Sequence, residues 1–141
     1  MIEGASPVLP VKEVDAAVRW YVERLGFVLD WSGGRGANAV ASVSRDGAAL
    51  LLRAAGPAPP AGGGVALLRC VDPRGLDEMR EAGLIELGEP SNRSWGYVAK
   101  FADPDGNELW VATEMRGDLP VDGGPAVAAC AEPGRRRWTL D

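Results

Sequence analysis

Two short segments of this chain match in order and chemistry: Asp46-Gly47-x-x-Leu50-Leu51 and Asp105-Gly106-x-x-Leu109-Trp110. Each follows one strand-like run and opens another, so each reads as the turn of a hairpin. The patterns around them match as well. Both halves run strand, helix, strand, strand, strand, over roughly residues 5–55 and 65–115. An internal repeat constrains a fold more than any single motif, because each unit leaves an apolar face that only its neighbour can cover. The expected architecture is α+β: two tandem βαβββ modules, each a curved sheet under one helix, forming one domain over residues 1–115 with a concave sheet wall.

The local signals supply the pieces. Ser6–Val11 is apolar but carries Pro7 and Pro10, which cannot donate to a ladder, so it reads as an edge strand or an arm. Val14, Ala17, Val18, Tyr21, Val22 and Leu25 recur on one helical face, with Glu13 and Asp15 at the start and Gly26 at the end. Phe27–Trp31 is a strand, residues 32–37 a turn, and Asn38–Ser44 with Ala48–Ala54 a hairpin about Asp46-Gly47. Residues 56–64, GPAPPAGGG, have the composition of a linker. The second half gives Val65–Val71, a short helix burying Leu76 and Met79, Leu84–Glu89, a loop at Pro90–Ser94, and two closing strands, Trp95–Ala102 and Asn107–Thr113. From Arg116 to Asp141 the chain is aperiodic and rich in Gly and Pro, an irregular tail that is disordered or lies along the surface.

Composition narrows the functional classes. The formal net charge is −5, which argues against general nucleic-acid binding and keeps the protein soluble. An acidic field also mildly favours cationic ligands. No apolar run is long enough to span a membrane. The start, MIEGASPVLPV, has neither a basic lead nor a signal-type apolar core, so a cytoplasmic location is expected. Cys70 and Cys130 read as ordinary reduced thiols. The short Arg135-Arg136-Arg137-Trp138 cluster reads as solvated tail. The 141 residues include no histidine, the commonest metal ligand and general base. There is no Ser/His or Cys/His pair. SGGRGA lacks the spacing and lysine of a phosphate-binding loop.

The stretches PVLPVKEVDAAVRWYVERLGF and GEPSNRSWGYVAKFADPDGNELWVATE resemble the vicinal oxygen chelate superfamily, which includes glyoxalase I, extradiol dioxygenases and antibiotic-binding proteins. The resemblance covers roughly residues 5–115. Within that superfamily the chain is most similar to bleomycin-resistance proteins, in the arm Pro7-Val8-Leu9, in Asp30-Trp31 after LGF, and in Gly88-Glu89…Trp95-Gly96 before the DPDGN hairpin. The resemblance implies a small-molecule cavity beside that hairpin. It also implies a homodimer, with Pro7 guiding exchange of the N-terminal arm and ligand grooves at the subunit interface.

Metal-using members carry ligands at four strand positions. Here those positions hold Ser6, only Ala, Leu and Arg along Ala48–Ala54, a residue near Ala66, and Trp110. No set of three or four N/O donors can be assembled from them, so no metal and no cofactor is expected. Trp110 stands where a carboxylate is usual and is expected to line the cavity, with Leu109 and Val111 turned away under a helix. Trp31, Trp95 and Tyr97 are further aromatic candidates, and Asp30 and Glu108 could supply charge. Flat aromatic faces suit a planar ligand, and carboxylates nearby favour a cationic one. Each tryptophan has an alternative reading as core, and each carboxylate as a solvated strand edge. Trp20 is expected to pack helix to sheet or lie at the surface.

The reading that follows is a drug-binding protein that sequesters a planar, cationic antibiotic without turnover. Two alternatives stand beside it. One is a metal-independent lyase or isomerase acting on a natural-product intermediate, with Glu89, Glu108 or Asp30 as a lone carboxylate base. The other is a small-molecule sensor or binding module. The expected partners are a small molecule and a second copy of the chain, with no nucleic acid and no membrane.

Overall fold

In a computed structural model, residues 1–56 and 60–122 are described. They form β1 (Val8–Val11), α1 (Val14–Leu25), β2 (Val28–Gly33), β3 (Val40–Arg45), β4 (Ala48–Ala54), β5 (Val65–Arg69), α2 (Arg74–Glu81), β6 (Ile85–Glu86), β7 (Ser91–Arg93), β8 (Gly96–Ala102) and β9 (Glu108–Thr113). The architecture is α+β and the repeat is real. One sheet runs β1-β4-β3-β2 and the other β5-β9-β8-β6, with β7 also on β8. In each, the first strand lies parallel to the last: Leu9 pairs with Leu52, and Ala66 with Leu109. No helix among the described residues is long and apolar enough to cross a membrane.

Alternation along the strands sorts each sheet into two faces. Leu9, Val11, Ala41, Val43, Leu50 and Leu52 face α1, which contributes Val14, Ala17, Tyr21 and Leu25. Ala66, Leu68, Ala99, Phe101, Leu109 and Val111 face α2, which contributes Leu76 and Met79. All belong to one continuous core. Burial of an aliphatic or aromatic side chain is worth about 1.5–3 kcal/mol, so this shared core is the main term holding the halves together. Polar bridges reinforce it. Arg45 donates to Glu78 Oε2 at 2.6 Å and to Leu25 O at 2.9 Å, and Arg24 donates to Ala82 O at 3.1 Å.

Some expectations shift. β2 runs on to Gly33, and the rest of the expected turn tightens into a 3₁₀ turn at Gly36–Asn38. The segment 90–94 is not simply a loop, because Ser91–Arg93 pairs with β8 as a short edge strand. β1 is the edge strand of the first sheet, as Pro7 and Pro10 allow, and Leu51 N–H donates to Pro7 O at 2.9 Å. The linker is not free chain either. Its residues 57–59 fall outside the described residues, but Gly62–Gly64 docks on the second hairpin.

That docking makes the Asp103–Asn107 hairpin the junction of the two halves. Asp103 is 5% exposed and Asn107 fully buried. Asp103 Oδ1 accepts the backbone N–H groups of Asp105 and Asn107, and its Oδ2 accepts Tyr21 Oη–H at 2.9 Å and Asn107 Nδ2 at 3.0 Å. Asn107 Nδ2 also donates to Pro10 O, its Oδ1 accepts Gly64 N–H, and Lys12 N–H donates to Asp105 Oδ1. Gly62 N–H donates to Pro10 O at 2.9 Å. Gly62 sits at φ +89, and a Cβ there would drive into the Asp105 carbonyl, so close backbone approach requires glycine. The hairpin side chains are spent on joining arm, linker and α1.

The start of the expected tail is also ordered. Asn92, buried on β7, donates through Nδ2 to Arg116 O, Leu119 O and Pro120 O, and its Oδ1 accepts Arg116 N–H at 2.8 Å. Asp122 N–H returns to Asn92 O. One asparagine thus ties residues 116–122 to the sheet edge. Cys130 and the Arg135–Trp138 cluster lie outside the described residues.

Candidate functional site

The faces of the two sheets turned away from the helices carry most of the residues singled out from the sequence. On β2 a bulge lies between Leu29 and Trp31, with Leu29 opposite Val43 and Trp31 opposite Ser42. A bulge lets two successive residues share one face. Asp30 takes advantage of it: its Oδ1 accepts Ser44 Oγ–H at 2.8 Å, and its Oδ2 lies 3.4 Å from Ser42 Oγ. Trp31, 51% exposed, stands beside it opposite Ser42. Asp30 and Trp31 are therefore brought together, over a floor of serines that the sequence reading had not singled out.

On β9, Glu108 and Trp110 share the open face. Trp110 Nε1–H donates to Glu108 Oε1 at 2.8 Å. The two-residue spacing along one strand makes this contact possible, and it fixes the indole plane. Across the hairpin, Lys100 pairs with Trp110 and Ala102 with Glu108. Lys100 Nζ lies 4.1 Å from the Trp110 ring centroid, inside the range of a cation–π contact. On the other flank, Leu67 pairs with Trp110. The row Leu67–Trp110–Lys100 is the centre of this face. Lys100 was missed in the sequence, although the register of a hairpin closed about residues 103–107 would have placed it opposite Trp110.

The remaining candidates go elsewhere. Tyr97 pairs with Thr113 and Asn92, which alternation puts on the helix side. It packs against the core, and the Arg116 guanidinium lies 5.3 Å from its ring centroid. Trp95, just before β8, lines a groove of about 440 Å³ at the far end of β9, with Arg69, Ala112 and Met115. Ala66 faces the core opposite Leu109. The open-face positions of β5 are Val65 and Leu67, so Ala66 could not have aimed a ligand into the groove whatever its side chain. Trp20 is half-buried and meets Tyr21 edge-on, with ring centroids 4.9 Å apart.

The open faces carry basic side chains as well as the two carboxylates. Asp30 is engaged by serine hydroxyls and Glu108 by an indole N–H. The strands of the second sheet's open face carry Lys100, Arg69 and Arg93 against Glu108 alone, with Glu114 past the end of β9 at the outer lip of the Trp95 groove. Neither Lys100, Arg69 nor Arg93 forms an ion pair among the described residues. The carboxylates that pointed to a cationic ligand are thus outnumbered on this wall.

A larger cleft of about 780 Å³ opens between the halves at the end opposite the Asp103–Asn107 junction. The β3–β4 turn, Pro7, Leu67 and Met79 line it, together with half-buried Cys70, whose thiol burial pushes upward in pKa. None of the six aromatic and acidic candidates reaches it. No three His, Cys, Asp or Glu side chains among the described residues cluster as a metal cage.

Comparisons with known proteins agree with this architecture. The family model described as the Glyoxalase/Bleomycin resistance protein/Dioxygenase superfamily matches residues 5–111. No curated protein matches the chain. Among solved structures, the chain is similar to TnmS3, an antibiotic binding protein from Streptomyces sp. CB03234, at 30% identity and a TM-score of 0.66, covering 82% of this chain and 99% of that one. It is similar to a bleomycin resistance determinant encoded on the transposon Tn5, at 26% identity and a TM-score of 0.65, covering 84% and 100%. It is also similar to the bleomycin-binding protein of bleomycin-producing Streptomyces verticillus, solved with copper(II)-bleomycin, at 26% identity and a TM-score of 0.65, covering 82% and 98%.

Proposed function

The chain belongs to the glyoxalase/bleomycin resistance protein/dioxygenase superfamily, and from that premise we propose that it is an antibiotic-binding protein that holds a planar drug by stacking, without turnover. The observation that carries this reading is Trp110, displayed on an open sheet face with its indole fixed by Glu108. A pre-oriented aromatic plane loses little freedom when a flat ligand stacks on it. Trp31 on the first sheet and Trp95 at the lip of the second extend the aromatic surface. Similarity to antibiotic-binding and bleomycin-binding structures supports the ligand class.

The working unit we propose is a homodimer in the cytoplasm. Val8, Val65 and Leu67 stand nearly half exposed on the open faces, as does Trp31, and a second copy laid across them would cover these side chains and deepen the groove. The arm that pairs with β4 in cis could make the same ladder on a partner, with Pro7 at its root.

Isothermal titration calorimetry of the folded protein against bleomycin-class and other planar antibiotics tests the reading, with light scattering giving the oligomeric state. Saturable binding near one ligand per chain, with no product formed, supports it. A folded protein that binds none of these drugs overturns it.

A further inference from the structure

Resting on that binding reading, we infer that Lys100 makes the groove selective for planar aromatic ligands bearing an anionic group, and that the preference runs against cationic ones. Trp110 offers the stacking plane, but an ammonium group already sits 4.1 Å from its centroid. A cationic ring approaching the same π-system meets a like charge in the site that would attract it. Glu108, held through Oε1 by the indole N–H, keeps its charge, but on these strands it is one carboxylate against Lys100, Arg69 and Arg93.

The surroundings reinforce the sign. Arg69 lies two residues along β5 from Leu67, on the same face and diagonal to Trp110. Arg93 shares that face through β7. Cross-strand diagonals bring side chains within reach of each other. A carboxylate or phenolate attached to a ring stacked against Trp110 would find Lys100 on one flank and Arg69 on the other. The chain's net charge of −5 does not decide the matter, because exposed charges farther away than about 8–10 Å are largely screened at physiological salt. The local cations are what a bound ligand meets.

Two tricyclic probes of similar size and opposite charge test the inference: anthracene-2-carboxylate and 9-aminoacridine, titrated at neutral pH with tryptophan fluorescence as the signal. The expected result is tighter binding of the anion by about tenfold, the scale of one desolvated charge contact. Lys100→Gln should remove most of that ratio, and Lys100→Arg should restore it, with circular dichroism confirming that both variants fold. Tighter binding of 9-aminoacridine, or a ratio unmoved by Lys100→Gln, overturns the charge inference while leaving the drug-binding reading in place. Failure of both probes and of the antibiotics to bind overturns both.

Discussion

Tyr21 on α1 donates its hydroxyl to Asp103 Oδ2 at 2.9 Å, across 82 residues of chain and from one half of the repeat to the other. Both residues are buried, and the same carboxylate receives three more donors from Asp105 and Asn107. Deleting the hydroxyl takes one of four partners away from a buried acceptor. Tyr21→Phe should therefore cost about 1–2 kcal/mol, and Asp103→Ala, which orphans all four donors, about twice that or more. Urea unfolding of the two variants measures the difference; equal and negligible losses would show that the junction does not carry the fold.

The same contact has a pH signature. Burial first, and then the nearby Asp103 carboxylate, push the Tyr21 phenol well above its ordinary value. In the unfolded chain the phenol ionises near pH 10; in the folded protein it stays protonated. A group whose folded pKa is raised gives stability that is complete below the unfolded value and is lost as pH rises beyond it. The stability gap between the native protein and Tyr21→Phe should be constant from pH 7 to 9 and narrow above about pH 10. Paired denaturation curves across pH 8–11 read this directly, with the variant cancelling the contributions of other groups.

Gly62 carries a third prediction about the junction. At φ +89, with the Asp105 carbonyl in the space a Cβ would take, alanine is strained twice over. Gly62→Ala should cost about 2 kcal/mol or more and lower the melting temperature by several degrees. Gly117→Ala, where nothing lies near an added Cβ, should leave it nearly unchanged and serves as the control.

These residues also mark how far the sequence could be read. α1 and β4 were legible to the residue, because Val14–Leu25 keeps a clean helical period and Ala48–Ala54 is bounded by a tight turn. β7 was not: Ser-Asn-Arg after a proline has no apolar alternation, and it is a strand only because β8 offers an edge. The glycines at 62–64 carry the composition of a flexible linker, and nothing local says that two other segments close around them. At the site, the face of Trp110 was legible from strand alternation, as was the opposite face of Leu109 and Val111. The parity of Ala66 was not, since it depends on where β5 begins pairing, whereas that of Tyr97 follows from the same hairpin register that sets Lys100 opposite Trp110. The role of Glu108 was hidden for another reason. A carboxylate two residues from an indole is in reach of it only once the strand is known to be regular there.

Asn92 tests whether order in the segment after β9 hangs on one side chain. Its amide makes four bonds to Arg116, Leu119 and Pro120, and Asn92→Ala removes them all while leaving the β7–β8 ladder. Release of a surface segment exposes its backbone to proteases in proportion to how often it opens. Cleavage after Arg116 by limited trypsin should speed up by about tenfold or more, with a smaller change in the global unfolding midpoint. Unchanged cleavage kinetics would mean that other contacts hold the segment.

Two tryptophans separate stability from binding. Trp20 is half-buried against the core and edge-on to Tyr21, so Trp20→Ala should lower stability by about 1–3 kcal/mol and leave ligand affinity within about twofold. Trp110 is half-buried on the open face, touching Glu108 and Lys100 rather than the core. Trp110→Ala should cost less stability than Trp20→Ala and weaken binding of a planar antibiotic by about tenfold or more, the value of an aromatic stack together with its buried area. A thermal-shift series reads both effects at once. Ligand raises the melting point of a protein that binds it by mass action, so the Trp20 variant should melt lower yet keep the full ligand-induced shift. The Trp110 variant should melt near the native temperature and lose the shift. If the roles came out reversed, the stacking plane would lie in the core and the groove would have to be sought elsewhere.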